Sequence, residues 1–201
     1  MIAHTIQMAE QSGLFDQVVV STDDMEIAKI AEAYQGVVPF IRPAELADDL
    51  TTTAPVIAHA IRTLQMSGAV FKHVCCIYPC TPFLLATDLQ NAYLKLVQSK
   101  KDFVISVAKF ETVIQRALKL QPDETLSSFY PEYEAIRTQD LEPAYYDAGQ
   151  FYWGTVSGWL TNRSLHNGSL GYLIANERAI DIDTHEDWRR AELLYNLELN
   201  K

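Results

Sequence analysis

The chain is predicted to fold as an α/β domain with a doubly wound, mostly parallel sheet, and three observations carry that prediction. Short β-branched runs alternate with amphipathic helical patterns through the first half of the sequence. Single helices separate successive strand-like runs, which suits right-handed crossovers between parallel strands rather than hairpins. Finally, 201 residues, 48% of them hydrophobic, suffice for one sizeable core and are few for two, so residues 1–201 read as a single domain. Ligands in such folds bind at the carboxyl ends of the strands, so the residues just after each strand carry most weight.

The first element is a helix, with Ile2, Ile6 and Ala9 at helical spacing and Gly13 as its stop. A crossover helix normally follows a strand, so its position at residue 1 suggests a strand ahead of Met1. Val18–Val20 reads as a strand, followed by a helix over Met25–Tyr34 that Asp23 or Asp24 can cap and Gly36 can end. Val37–Phe40 is the next strand. Ala54–Met66 is helical, preceded by Thr53, with Pro55 in its first turn and a stop near Gly68. Val74–Tyr78 and Phe103–Val107 are strands of buried character.

The stretch from Glu111 to Tyr146 differs, being rich in charge, proline and tyrosine with no long periodic run. It reads as an excursion from the sheet that packs against something else, most simply a second subunit. Strand-like segments then return at Gln150–Thr155, Tyr172–Ala175 and Ala179–Asp183. A last helix begins at Thr184, which with Asp187 approximates a capping box.

Charge and cysteine usage remove several function classes. Sixteen basic residues stand against 26 acidic ones, and a net charge of -10 repels a nucleic-acid backbone. The apolar runs are strand-sized and interrupted by charge, with no basic segment leading into an apolar one at the start, so neither a membrane span nor a signal peptide is expected. The cytoplasm is the default location. Cys75, Cys76 and Cys80 lack the paired spacing of a zinc site and read as reduced core thiols.

The sharpest chemical pattern is Asp181-Ile182-Asp183-Thr184: strand periodicity would set both carboxylates on one face, as a hard divalent cation such as Mg²⁺ requires. The plainer alternative is a solvated strand end whose Asp183 or Thr184 caps the last helix. Ser21 and Asp23 follow the first strand and could reach a nucleotide, although taken alone helix capping by Asp23 or Asp24 is the plainer reading. Tyr78-Pro79-Cys80-Thr81-Pro82 is a rigid loop presenting Thr81. Arg137 could pair bidentately with a carboxylate, and Gly149 would allow close approach of a ligand to the backbone of Asp147-Ala148-Gly149-Gln150-Phe151-Tyr152-Trp153. Taken singly, Arg137 is more simply a surface charge and the aromatic trio sheet packing. His59 is more simply a helix residue than a base.

Taken in order, these segments resemble the acylneuraminate cytidylyltransferase family, in particular its pseudaminic acid branch. The carrying pieces are Val20 to Asp24, Pro39 to Pro43 with Leu46 to Asp49, Pro55 to Ala60, Tyr78 to Phe83, Asp147 to Trp153 and Asp181 to Thr184. The resemblance implies a Rossmann-like fold of the nucleotide-diphospho-sugar transferase kind and transfer of CMP from CTP to a nonulosonic acid with pyrophosphate released. It implies Mg²⁺ held by Asp181 and Asp183 as the catalytic carboxylates. By the same similarity Ser21, Asp23 and Thr81 lie on the nucleotide side, and Arg137, Gln139, Gln150 and Tyr152 on the sugar side. The excursion then pairs two subunits of a homodimer, and Arg137 serves the neighbour's site. The family also opens with a strand and a basic Gly-Ser-Lys-Arg loop, so the resemblance implies roughly twenty-five to thirty residues ahead of Met1. Without them residues 1–201 are expected to be inactive or poorly folded. Competing readings are a neuraminic, legionaminic or octulosonic acid as substrate, an inactive dimeric remnant, and a glycosyltransferase using Asp-x-Asp.

Overall fold

The computed structural model describes residues 1–161 and 163–199. Helix α1 (Ile2–Ser12) buries Thr5, Ile6, Ala9 and Ser12, and it ends at Gly13 with a φ of 65°. In α2 (Met25–Ala33) the cap is Asp24, whose Oδ1 accepts from the amides of Glu26 at 2.6 Å and Ile27 at 3.1 Å. Helix α3 (Thr53–Met66) follows, with Ala58 and Ile61 on its buried side. Strand β1 (His73–Ile77) leads to α4 (Ala86–Val97), an element unassigned from sequence even though Leu89, Ala92 and Leu96 fall at helical spacing and are buried. Strand β2 (Phe103–Lys109) precedes a small hairpin, β3 (Leu118–Leu120) and β4 (Leu126–Ser128). The chain returns through β5 (Tyr145–Thr155), α5 (Val156–Leu160) and β6 (Leu170–Leu173), and closes on α6 (His185–Leu199).

The main sheet has the order β1-β5-β2-β6. β1 and β2 each pair antiparallel with β5, while β6 pairs parallel with β2, so three of the four strands point the same way and the sheet is mixed. The α/β class therefore holds, with β5 inserted against the common direction. It can do so because the long excursion lets the chain turn back before it re-enters the sheet.

Three expected strands are altered. Val18–Val20 and Val37–Phe40 contribute only the isolated parallel bridges Val19 to Val37 and Thr22 to Ile41. Ala179–Asp183 forms no strand: it keeps the alternation, with Ile180 buried against Phe83 and Ala191 and Asp181 and Asp183 outward, but it finds no ladder partner among the described residues. Alternation reports burial on one face, whereas a strand also needs a neighbour.

Period-2 alternation along β5 feeds two cores. Phe151 and Trp153 join Leu84, Leu89 and Leu96 beside α4, while Tyr152 points across the sheet to Ile61, Phe103 and Trp159 beside α3 and α5. Helices thus cover both faces. Phe151 is fully buried, and its truncation to alanine would cost about 3–5 kcal/mol. The excursion, by contrast, buries little: Leu118, Leu120, Leu126 and Phe129 are exposed, with Leu120 at 71%.

Candidate functional site

The site begins with an irregularity in β5. Ile105 pairs with Tyr152 but Val107 with Asp147, so β5 carries extra residues around Gly149. The Ser106 hydroxyl fills the broken ladder by accepting from the amides of Gln150 and Phe151, each at 3.2 Å. Gly149 takes a φ of 62°, and its amide donates to Asp147 Oδ1 at 3.0 Å. The same Oδ1 accepts from the Tyr152 hydroxyl at 3.0 Å, and Asp147 Oδ2 lies 3.0 Å from His166 Nε2. Burial, then the neighbouring Asp147 and Tyr78, push the Tyr152 phenol far above its ordinary pKa, so it stays protonated as a donor. These groups line a polar cavity of about 350 Å³ with Thr53, Tyr78 and Arg163. Thr53 Oγ1 and the Tyr78 hydroxyl are 2.5 Å apart across its wall.

Asp181 stands over Gly149. A β-carbon on Gly149 would lie 3.0 Å from Asp181 Oδ2, so only glycine leaves the carboxylate its place. The Asp181 carboxyl is raised above the ordinary range, first by partial burial, then by the negative charge of Asp183, with Asp147 and Asp187 adding to it. Asp187 serves the last helix instead. Its Oδ2 accepts from the Thr184 amide at 2.9 Å and hydroxyl at 2.6 Å, and its amide donates to Thr184 Oγ1 at 3.2 Å, which is the expected capping box. Among the described residues no group of three or more His, Cys, Asp or Glu side chains closes on one metal position. Two outward hard-oxygen donors whose mutual repulsion a cation would relieve nevertheless fit a divalent ion, because Mg²⁺ binds through one or two carboxylates and substrate phosphates.

On the side of the first two helices, Asp23 does not cap α2; its Oδ1 accepts from Arg42 Nη2 at 3.1 Å, which holds the carboxyl below its usual range. Ser21 lies two residues before Asp23, and its Oγ, like Arg42 Nε, is enclosed without a partner among the described residues. In the sequence Arg42 stands out only as part of a longer motif. The structure makes it a member of this group.

The remaining expected residues fall elsewhere. Thr81 is 1% exposed, and its hydroxyl bonds the Tyr78 carbonyl at 3.1 Å and sits 3.2 Å from Thr5 Oγ1, so it ties the loop to α1 instead of meeting solvent. Gln150 is also 1% exposed: the β5 irregularity turns it inward, where Nε2 donates to the Arg178 carbonyl at 2.5 Å and Oε1 has no partner among the described residues. It therefore does not line the cavity. Arg137 pairs with Asp140 at 2.9 Å on the exposed excursion, where Gln139 also lies. His59 contacts Thr63 and the edge of Phe40, a packed helix residue. Cys75 and Cys76 are core thiols, burial pushing Cys76 up to about 12, whereas Cys80 is exposed, contrary to expectation. Sequence reasoning also misses His166, Asp88 and Arg178. Asp88 is hidden with α4; Arg178 lies in the loop just before Asp181, where a lone arginine gives no pattern.

Comparison with known proteins bears on this arrangement. Residues 1–152 match the profile of the family described as cytidylyltransferase. The chain is 36% identical over 198 residues to the pseudaminic acid cytidylyltransferase of Campylobacter jejuni, covering 98% of this chain and 85% of that protein. It is 28% identical over 204 residues to the CMP-N,N'-diacetyllegionaminic acid synthase of Legionella pneumophila, covering 100% of this chain and 86% of that protein. A solved structure of CMP:2-keto-3-deoxy-manno-octonic acid synthetase complexed with CTP superposes with a TM-score of 0.68 at 14% identity, over 98% of this chain and 88% of that one, which shows a common fold. With a family profile spanning three quarters of its length and a relative aligned almost end to end, the chain belongs to the cytidylyltransferase family.

Proposed function

We propose that the protein transfers CMP from CTP to the anomeric hydroxyl of a nonulosonic acid of the pseudaminic type. The observation that carries this reading is the Asp181 carboxylate standing over Gly149, with Asp183 and Asp147 near enough to raise it, beside a polar cavity lined by Asp147 and large enough for a sugar acid. The anomeric oxygen, its proton passing to solvent, bonds to the α-phosphorus as the bond to the β-phosphate oxygen breaks, and pyrophosphate leaves with that electron pair. No covalent enzyme intermediate is needed, so the chain has only to position the reactants and to compensate charge.

Asp181 and Asp183 would hold Mg²⁺, which when bound offsets the triphosphate charge and lowers the pKa of the attacking hydroxyl. Ser21 and the Asp23–Arg42 pair serve the nucleotide, with the Thr81 loop as a backbone wall. Asp147, kept in place by Tyr152, His166 and the Gly149 amide, orients hydroxyls of the acceptor sugar. The exposed leucines of the β3–β4 hairpin form the seam of a homodimer, across which Arg137 and Gln139 reach the neighbour's sugar. Among the described residues no helix is long and apolar enough to cross a membrane, and a CTP-consuming reaction fits the cytoplasm.

The test is CTP-dependent pyrophosphate release with Mg²⁺ and a panel of pseudaminic, legionaminic and N-acetylneuraminic acids, with the CMP-sugar identified by mass. Preference for pseudaminic acid is expected. Preference for legionaminic acid would move the assignment to that branch, and no CMP-sugar with any of the acids would overturn it.

A further inference from the structure

The segment bearing Asp181 and Asp183 leaves the sheet after Leu173 and reaches α6 without a ladder, so something other than strand pairing must fix it. Its backbone makes a short turn, with the amides of Arg178 and Ala179 donating to the Ala175 carbonyl at 2.9 and 3.1 Å. One side chain then anchors the turn. Arg178 donates through Nη1 to Asp88 Oδ2, through Nη2 to Asp88 Oδ1 at 3.3 Å, and through Nη1 to the Phe83 carbonyl at 3.3 Å. Asp88 Oδ1 also accepts from the Tyr172 hydroxyl at 3.1 Å. From the opposite side the buried Gln150 amide grips the Arg178 carbonyl.

Asp88 is 4% exposed and sits in the first turn of α4, where the helix dipole favours its charge. A fork-to-fork contact of this kind fixes orientation as well as distance, which lysine could not reproduce. For stability alone the arrangement is poor, since desolvating two charges offsets most of their attraction and an apolar pair of like volume serves a core as well. What the pair supplies is direction, three residues before Asp181.

We propose that Asp88 and Arg178 are a positioning pair for the transferase site, setting where Asp181 and Asp183 stand relative to Gly149 and hence how tightly they take a divalent cation. This rests on the function proposed above. Neither residue touches substrate; they act through the backbone of 178–183, with Gln150 as the second anchor.

The experiment compares the wild-type protein with Arg178→Lys, with the apolar exchange Asp88→Leu plus Arg178→Met, and with Leu96→Ala. Leu96 is a buried residue of the same helix whose side chain is apolar, and it serves as a stability control. Melting temperature is measured for each, together with Mn²⁺ binding in the presence of CTP by electron paramagnetic resonance. Loss of an outer partner of a metal ligand typically costs 10–100-fold, so Arg178→Lys and the double exchange are expected to weaken Mn²⁺ binding about tenfold. Leu96→Ala should lower the melting temperature and leave Mn²⁺ binding unchanged. Unchanged binding in both clamp variants, or equal weakening in Leu96→Ala, would overturn the positioning role while leaving the transferase reading intact. Failure of the wild type to bind Mn²⁺ with CTP would bring down both.

Discussion

Gly149→Ala separates two costs that usually arrive together. Gly149 has a φ of 62°, and Gly13 has a φ of 65°, so alanine incurs the same left-handed penalty at either position, about 1–2 kcal/mol. For a chain of this size each kcal/mol lowers the melting temperature by about 2–4 °C, so both variants should lose roughly 2–8 °C. Surroundings differ: nothing lies within 4 Å of a β-carbon at Gly13, whereas at Gly149 it meets Asp181 Oδ2 at 3.0 Å and Cγ at 3.3 Å. The carboxylate must then retreat by a few tenths of an ångström from the position it shares with Asp183. Calorimetry gives the backbone cost, and Mn²⁺ titration with CTP gives the site cost. Gly13→Ala should bind as wild type, whereas Gly149→Ala should bind about tenfold more weakly, in proportion to the effect of small misplacements at reacting centres. Equal binding in the two variants, at equal loss of stability, would refute the placement of Asp181 in the cation site.

Three further outcomes are expected. In metal-free protein Asp181→Asn should raise the melting temperature slightly at pH 7. Its carboxyl is raised in the fold, so the folded state favours the protonated form; that contribution is complete below the unfolded pKa and lost as pH rises through the folded value. Thermal scans from pH 3 to 7 should therefore show the two proteins converging at the acid end, and a gap that widens there would contradict the shift. Replacing Leu120 and Leu126 by glutamate should convert the proposed homodimer to a monomer by sedimentation velocity with unchanged helical circular dichroism, since neither side chain is in the core. Native alkylation at pH 8 should modify Cys80 alone, because burial raises the other two thiols, and mass spectrometry would detect any second site.

Much of this architecture is legible because periodic burial leaves a trace in sequence. Short β-branched runs of buried character mark β1, β2 and the second half of β5, and Thr184 with Asp187 announces α6. Strand direction is less legible, since residues do not record whether the chain has turned round, and the reversal of β5 depends on where the excursion delivers it. Asp181 and Asp183 are found by their spacing, although the spacing persists here without a strand. Gln150 and Thr81 are expected to face outward, yet the structure buries both; their polar groups bond internal carbonyls, and sequence cannot tell a polar group that meets water from one that satisfies the backbone. Asp88 and Arg178, 90 residues apart, become partners only once α4 and β6 are assembled.

The central place of β5 ties assembly to competence. Its partners lie far back in the chain, His73–Ile77 on one side and Phe103–Lys109 on the other, and it seals both cores. Contacts of such long range close late during folding. That strand also brings Asp147 and Gly149, so a chain in which it has not paired lacks both its sealed interior and that part of its site.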